Sequence, residues 1–469
     1  MGPRFRGDDG SIIGNTMRLL LSALLATTAT PLAAAPADDM RAILKEAVEI
    51  PTVKGRGQVP LLASKLRDRL VAGGFAASDV RVEAVGDTAI LSAVYRGTGK
   101  ARPIAVAGHM DVVEADPKDW VRDPFKLVAD GGYLFGRGVF DNKFDVSAII
   151  ATLIDLKRAG FKPRRDIILY LSGDEETDGK TAKLQAAQAK AAGVEFVLNS
   201  DAGGGLLDAN DKPIEYSLSA AEKTYADFDG TVTNPGGHSS LPTTPNAILQ
   251  VAAATQRMAA VAWPAELSEI TRASLADAGR RSGGALGAAM VAYAANPKDA
   301  AALATLRADP GTVGQTGTTC VPTMITGGHA PNALPQRVTV TINCRIWPGT
   351  AVETVRQALA AAAAEPALTL KSVNDFSSSP PSPLRPDVTA AVARAVAARF
   401  PGFVPVPGMD AGASDSVEYR GLGIPSYGVS GMFIRASDVF IHGLNERVPE
   451  ASIAPALAHW RSLLTELSK

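Results

Sequence analysis

Cysteine is almost missing: the 469 residues contain only Cys320 and Cys344. Two thiols are too few for a cysteine-rich zinc site. Charge of one sign is missing as well. The formal net charge is −1 and there is no long basic run, which excludes the electrostatic footprint of a nucleic-acid or anionic-membrane partner. Long apolar runs are also missing, since no segment reaches the ~20 residues a membrane span requires. Disorder is excluded by composition, with 46% hydrophobic and 20% charged residues. The length allows two domains or one elaborated domain.

The N-terminus carries a signal. Residues 17–39, MRLLLSALLATTATPLAAAPADD, combine one arginine, a short apolar core and small residues ending in Ala35-Pro36-Ala37. That layout predicts a secretory signal peptide starting at Met17 and cleaved before Asp38, hence an exported protein, periplasmic or secreted. Residues 1–16 show no helix or strand pattern and are left out of the fold. The two cysteines lie symmetrically about Asn332, so a hairpin centred there sets them opposite each other. A disulfide between Cys320 and Cys344 and two buried free thiols are both compatible with that spacing.

Beyond the leader, strand and helix patterns alternate. VRVEAV, TAILSAVY, PIAVAG, DIILYLSG and VEFVLNS read as strands. Helical spacing over 42–49, 60–73, 144–160 and from Thr181 falls around and between them. The rhythm predicts an α/β fold with a mainly parallel sheet. From about Ala221 the order becomes strand, helix, strand, strand, helix, strand, the ferredoxin-like βαββαβ plan, interrupted by an Ala-rich helical stretch at 264–316. The expected organisation is extension and signal peptide at 1–37, catalytic domain at 38–220, inserted lid domain at 221–376, and linker with the rest of the catalytic domain at 377–469.

The chemistry-bearing residues gather where apolar runs stop. ILYLSGDEETDG passes from a strand into Asp174, Glu175, Glu176 and Asp178. Crowded carboxylates repel one another and resist desolvation, unless a divalent cation neutralises them. His109 and Asp111 close another strand. At this spacing their side chains point the same way, so Asp111 can hold one ring nitrogen of His109 and aim the other at a cation. Asp141 stands in a glycine-flanked turn, Asp201 follows a strand, and His442 arrives late in the chain. Two Zn²⁺ would be balanced by three ligand carboxylates and a hydroxide, with two imidazoles neutral.

GHMDVV, GRGVFDNK, SGDEETDG, NSDAGG, NPGGHSSLP, GGHAPNALP and HGLNERVP, in this order, resemble the motifs of the co-catalytic zinc exopeptidases. That family includes glutamate carboxypeptidase, carnosinase-type dipeptidases, tripeptidase, aminoacylase and succinyl-diaminopimelate desuccinylase. The resemblance implies two zinc ions per subunit, with Co²⁺ or Mn²⁺ able to fill the same shell. It implies that Asp141 bridges them, His442 and Glu176 complete one site, and His109 and Asp201 the other. Glu175 is then the general base, with Asp111 beside His109 and a cis peptide at Asp141–Asn142.

It further implies that His238 stabilises the oxyanion, often in a neighbouring subunit's site, through a homodimer joined by the lid. Asn332, Arg345 and the segment Gly412, Ala413 and Ser414 match positions that hold the substrate's carboxylate. The implied substrate is a short peptide, cleaved by a carboxypeptidase or dipeptidase. Aspartate rather than glutamate at position 201 leans toward peptides. An N-acyl amino acid is the alternative, and a non-catalytic peptide-binding relative the remote one. His329 is given no chemistry, and His459 is read as a helix-surface residue.

Overall fold

The computed structural model describes residues 35–373 and 377–469. Most of the expected signal segment therefore lies outside the described residues. Strands Ile104–His109 and Ile167–Ser172 are buried along their whole length. They pair in parallel, His109 beside Ser172, and Ile104–His109 also pairs in parallel with Val197–Asn199. Burial on both faces is what parallel strands with apolar runs require. Alternate residues divide between the faces. Val106 and Leu169 join the main core, while Ala107 and Tyr170 pack with Ala186 and Tyr419 on the other side.

The sheet extends beyond this parallel centre. Val80–Val85 and Thr88–Tyr95 form an antiparallel hairpin on one side. Ser426–Gly428, Pro213–Glu222, Gly204–Leu207 and Phe433–Arg435 continue it on the other. Sequence periodicity did not pick out Gly204–Leu207 or Pro213–Glu222. Helix Lys143–Arg158 is buried from Lys143 through Ile154 and lies between helices Pro36–Glu49 and Ile453–Leu467. The burial extends to Lys143, whose Nζ donates to the Ala47 carbonyl at 2.8 Å, and to Asp145, whose Oδ1 accepts from Trp460 Nε1 at 2.6 Å.

A second sheet is antiparallel in the order Thr319–Gly327, Arg337–Ile346, Thr224–Thr233, Leu368–Ser372. Helices Ala247–Ala259 and Val352–Ala363 pack on it, and Phe228, Val251, Ile342 and Leu359 belong to its separate core. This strand order is that of the βαββαβ plan. The stretch at 264–316 folds as helices Glu269–Ser282, Gly284–Ala295 and Ala300–Ala308 around Leu275, Met290, Tyr293 and Leu306. Helix Glu269–Ser282 packs on strand Val406–Asp410 of the large sheet. Cys320 and Cys344 face each other across the second sheet and are joined by a disulfide.

His459 corrects the sequence reading. It is 5% exposed, and its Nε2 lies 3.2 Å from both the Val429 carbonyl and the Tyr216 hydroxyl. The buried face of helix Ile453–Leu467 is broad and takes in His459 together with Ile453, Ala456, Trp460, Leu463, Leu464 and Leu467.

Candidate metal centre

Three neighbouring parallel strands end on the same side of the sheet. His109 is the last residue of one of them, and past the carboxyl ends of the other two lie the Asp174-Glu175-Glu176 turn and Asp201. This is where open α/β sheets place their sites. Asp141 precedes helix Lys143–Arg158 across a cis peptide to Asn142, as expected. His442 comes from the loop before strand Arg447–Pro449, in a left-handed backbone conformation (φ 59°).

Five of these side chains, His109, Asp141, Glu176, Asp201 and His442, converge. His109 Nε2 lies 2.8 Å from Asp141 Oδ1 and 3.5 Å from Asp201 Oδ1. His442 Nε2 lies 3.3 Å from Asp141 Oδ2 and 2.9 Å from Glu176 Oε1. The two imidazoles therefore address different oxygens of one carboxylate. His109 Nδ1 is 3.1 Å from the Asp111 main-chain oxygen. Because a carbonyl can only accept, Nδ1 carries a hydrogen, and Nε2 is the ring nitrogen turned toward the carboxylates. The Asp111 carboxylate is farther from that ring, at 3.5 Å. Its closer partners are the main-chain N–H groups of Glu175 and Glu176, at 3.1 and 3.0 Å.

The four acids of SGDEETDG divide by partner. Asp174 caps helix Lys180–Ala191, accepting from the N–H groups of Lys180 and Thr181 at 2.9 Å. Asp178 pairs at the surface with Lys54 and Lys180. Only Glu175 and Glu176 face the histidines. Donor atoms of His109, Asp141 and Glu176 lie within 4.8 Å of one another, as do those of His109, Glu175 and Asp201. Imidazole and carboxylate donors at this spacing are of the kind that binds Zn²⁺, and Co²⁺ or Mn²⁺ can also occupy such a shell.

The electrostatics point the same way. Burial opposes ionisation of Asp141, but hydrogen bonds to His109 and His442 hold it below the ordinary carboxylate range. The Asp141 and Glu176 contacts raise His442 to about 10. Burial and the Asp201 charge push Glu175 well above its usual value. Burial likewise raises Asp201, against the opposing His109 charge. Among the described residues no lysine or arginine pairs with Asp141, Glu175, Glu176 or Asp201. The two histidines are the only ion-pair partners shown, so the cluster is short of positive charge and divalent cations would supply it.

A cavity of about 500 Å³ opens beside these groups. Glu175, Glu176, Asp141, Asp201 and His442 line it, with Gly412, Ala413 and Ser414 at one side. Leu206, Met432, Ile434, Val439 and Ile441 contribute an apolar wall. Arg345 does not line the cavity, but its Nη1 donates to the Ala411 carbonyl at 2.9 Å, next to the 412–414 segment. His238 and Asn332 also stand outside the lining. Both are exposed, His238 paired in register with Ala333 and bonded through Nδ1 to Ser240 Oγ at 2.8 Å.

Sequence reasoning missed three polar residues of this region. Asp415 is buried, accepts from Ser172 Oγ, and is raised to about 7 by burial. Arg137 and Glu446 form a buried pair beside the Asp141 turn. The flanking quoted motifs, GRGVFDNK and HGLNERVP, contain the last two, but a charged loop residue gives no sign of burial before its partner is known.

The profile described as peptidase family M20/M25/M40 matches residues 105–466. Among curated relatives, the chain is 28% identical to the N-fatty-acyl-amino acid synthase/hydrolase PM20D1 of Xenopus tropicalis over 386 residues, 81% of this chain and 75% of that protein. It is 26% identical to PM20D1 of Homo sapiens over 426 residues, 87% of this chain and 84% of that one. Among solved structures, the M20 family metallo-carboxypeptidase Sso-CP2 from Sulfolobus solfataricus superposes with a TM-score of 0.71 at 17% identity, covering 92% of this chain and 99% of that one. Human carnosine dipeptidase 1 gives 0.64 at 16%, covering 92% and 97%. At these identities the structural likeness speaks for the fold alone.

Proposed function

The chain belongs to peptidase family M20/M25/M40 and is a metallo-hydrolase, and from that premise we propose that it cleaves the amide bond of a short peptide. The observation that carries this is Asp141, with one carboxylate oxygen turned to each histidine. In this reading His442 and Glu176 would hold one Zn²⁺ and His109 and Asp201 the other, with Asp141 contributing to both. Two bound cations would acidify the attacking water and polarise the scissile carbonyl. Glu175, placed in the cavity with no ion-pair partner among the described residues, takes the proton and passes it to the departing amine. Asp111 holds the Glu175-Glu176 turn. Gly412, Ala413 and Ser414, with Arg345 behind them, receive the substrate's carboxylate.

A second reading, hydrolysis of an N-acyl amino acid, is favoured by the apolar wall. Val439 and Ile441 remain 40% and 42% exposed beside His442, where an apolar acyl chain would cover them. The relatives named as N-fatty-acyl-amino acid hydrolases support it. Dipeptides assayed against N-acyl amino acids of increasing chain length, with and without chelator, decide the matter. Faster cleavage as the acyl chain lengthens would select the second reading. No chelator-sensitive cleavage of either class would overturn both.

His238 and Asn332, exposed on the second sheet's side, are proposed to complete a site in a homodimer. The edge strand Thr319–Gly327 exposes Val321, Met324 and Ile325, and helix Ala247–Ala259 exposes Ile248 and Leu249. Apolar residues beside a free sheet edge suit a second copy. A monomeric mass in solution would refute this. Export is supported by the signal segment and by the disulfide, which suits an oxidising compartment. The N-terminal sequence of the mature protein tests it.

A further inference from the structure

Asp141 and His442 are 301 positions apart in the chain, and one carboxylate lies between their loops. Glu446 Oε1 accepts the main-chain N–H groups of Phe140 at 2.8 Å and Asp141 at 3.1 Å. Its Oε2 accepts from Gly138 N–H at 3.0 Å and Arg137 Nη1 at 2.8 Å. Arg137 Nη2 reaches back to the His442 carbonyl at 3.4 Å, and the Glu446 carbonyl accepts from Gly136 N–H at 3.1 Å. The side chains of Arg137 and Glu446 are 4% and 1% exposed. A buried pair of this kind contributes little net stability over an apolar one, because desolvation offsets most of the attraction. Its three bonds from main-chain N–H groups, however, fix the turn that presents Asp141. The arginine ties that turn to the backbone of His442.

We propose that Glu446 is a positioning residue of the metal centre, which sets Asp141 and His442 at the separation that lets both face one pair of cations. The inference rests on the ligand reading given above. It assigns Glu446 a function toward metal affinity beyond holding the fold. Glutamine at this position would keep the size of the side chain but present a donor to main-chain donors. Aspartate would keep the charge for Arg137 but, one methylene shorter, could not reach the Phe140 and Asp141 amides as well as Arg137.

The test is zinc binding by the metal-free full chain, measured by competition with a chromophoric chelator, for wild type, Glu446→Gln, Glu446→Asp and Asp141→Asn. Thermal melts with and without zinc accompany it. Both Glu446 variants are expected to bind zinc about ten- to hundredfold more weakly, with a smaller zinc-induced rise in melting temperature. Should Glu446→Gln fail to fold, Glu446→Asp, which leaves Arg137 paired, carries the test. A purely structural role would lower the melting temperature with and without zinc alike and leave affinity at the wild-type value; that result overturns the proposal. If Asp141→Asn binds zinc as wild type does, the ligand reading itself has failed, and the two failures are told apart.

Discussion

Asp111 Oδ2 accepts the main-chain N–H of Glu176 at 3.0 Å, and through its other oxygen the N–H of Glu175. Its own main-chain carbonyl orients His109. One residue thus holds an acidic turn by its side chain and an imidazole by its backbone. Asp111→Asn should separate the two. The carbonyl to His109 is kept, while an amide group replaces one of the two acceptors under the turn. The expected result is zinc retained with turnover reduced about ten- to hundredfold. Wild-type turnover in Asp111→Asn would show that the turn needs no such support.

Glu175 and Glu176 are neighbours with different surroundings. Glu176 lies 2.9 Å from His442, whereas Glu175 has no ion-pair partner among the described residues. Glu175→Gln is expected to keep zinc and lose about 10²- to 10⁴-fold in kcat, the usual weight of a general base. Glu176→Gln is expected to lose zinc as well. Metal content and single-turnover rates on the two purified variants check this. Near-wild-type turnover in Glu175→Gln would remove it from the role of base.

Much of this arrangement is written locally in the chain. Strands Ile104–His109 and Ile167–Ser172 are apolar runs that stop at polar residues, so the motif residues could be placed at strand ends from the sequence. The second sheet was legible from its alternating strands. What stayed hidden depends on pairing between distant segments. Arg137 and Glu446 look like surface charges until each meets the other. Strand Pro213–Glu222 is buried mainly in its second half, so its pattern shows no clean alternation. His238 and Asn332 match the motifs but lie outside the cavity, since a motif match carries no information about which face of the fold it reaches.

The Cys320–Cys344 disulfide ties the edge strand Thr319–Gly327 to its neighbour across a separation of 24 residues. Closing a loop of this order in the unfolded chain stabilises the native state by roughly 3 kcal/mol. A variant with both cysteines changed to serine should therefore melt at a lower temperature. Its kcat should be nearly unchanged, because neither cysteine lines the cavity or belongs to the proposed ligand set. Equal denaturant midpoints for this variant and the oxidised wild type would show that the bond adds nothing to stability.

His459 gives the fold a pH dependence of calculable sign. Burial lowers its pKa from 6.5 to about 4, and only the Val429 carbonyl bond favours the charged form. That carbonyl requires hydrogen on Nε2, with the Tyr216 hydroxyl sharing the same nitrogen and donating its own proton to Ser430. The unfolded chain takes up the proton first as pH falls, so protonation favours unfolding. The contribution is complete above pH 6.5, declines as pH falls toward 4, and amounts to about 3 kcal/mol across that window. His459→Gln loses the native imidazole contacts and should be less stable than wild type at pH 7.5. The gap should close progressively toward pH 4.5, because glutamine has no proton to gain. Chemical denaturation of both proteins at several pH values measures it. A gap that stays constant from pH 7.5 to 4.5 would mean that the buried imidazole does not titrate with unfolding.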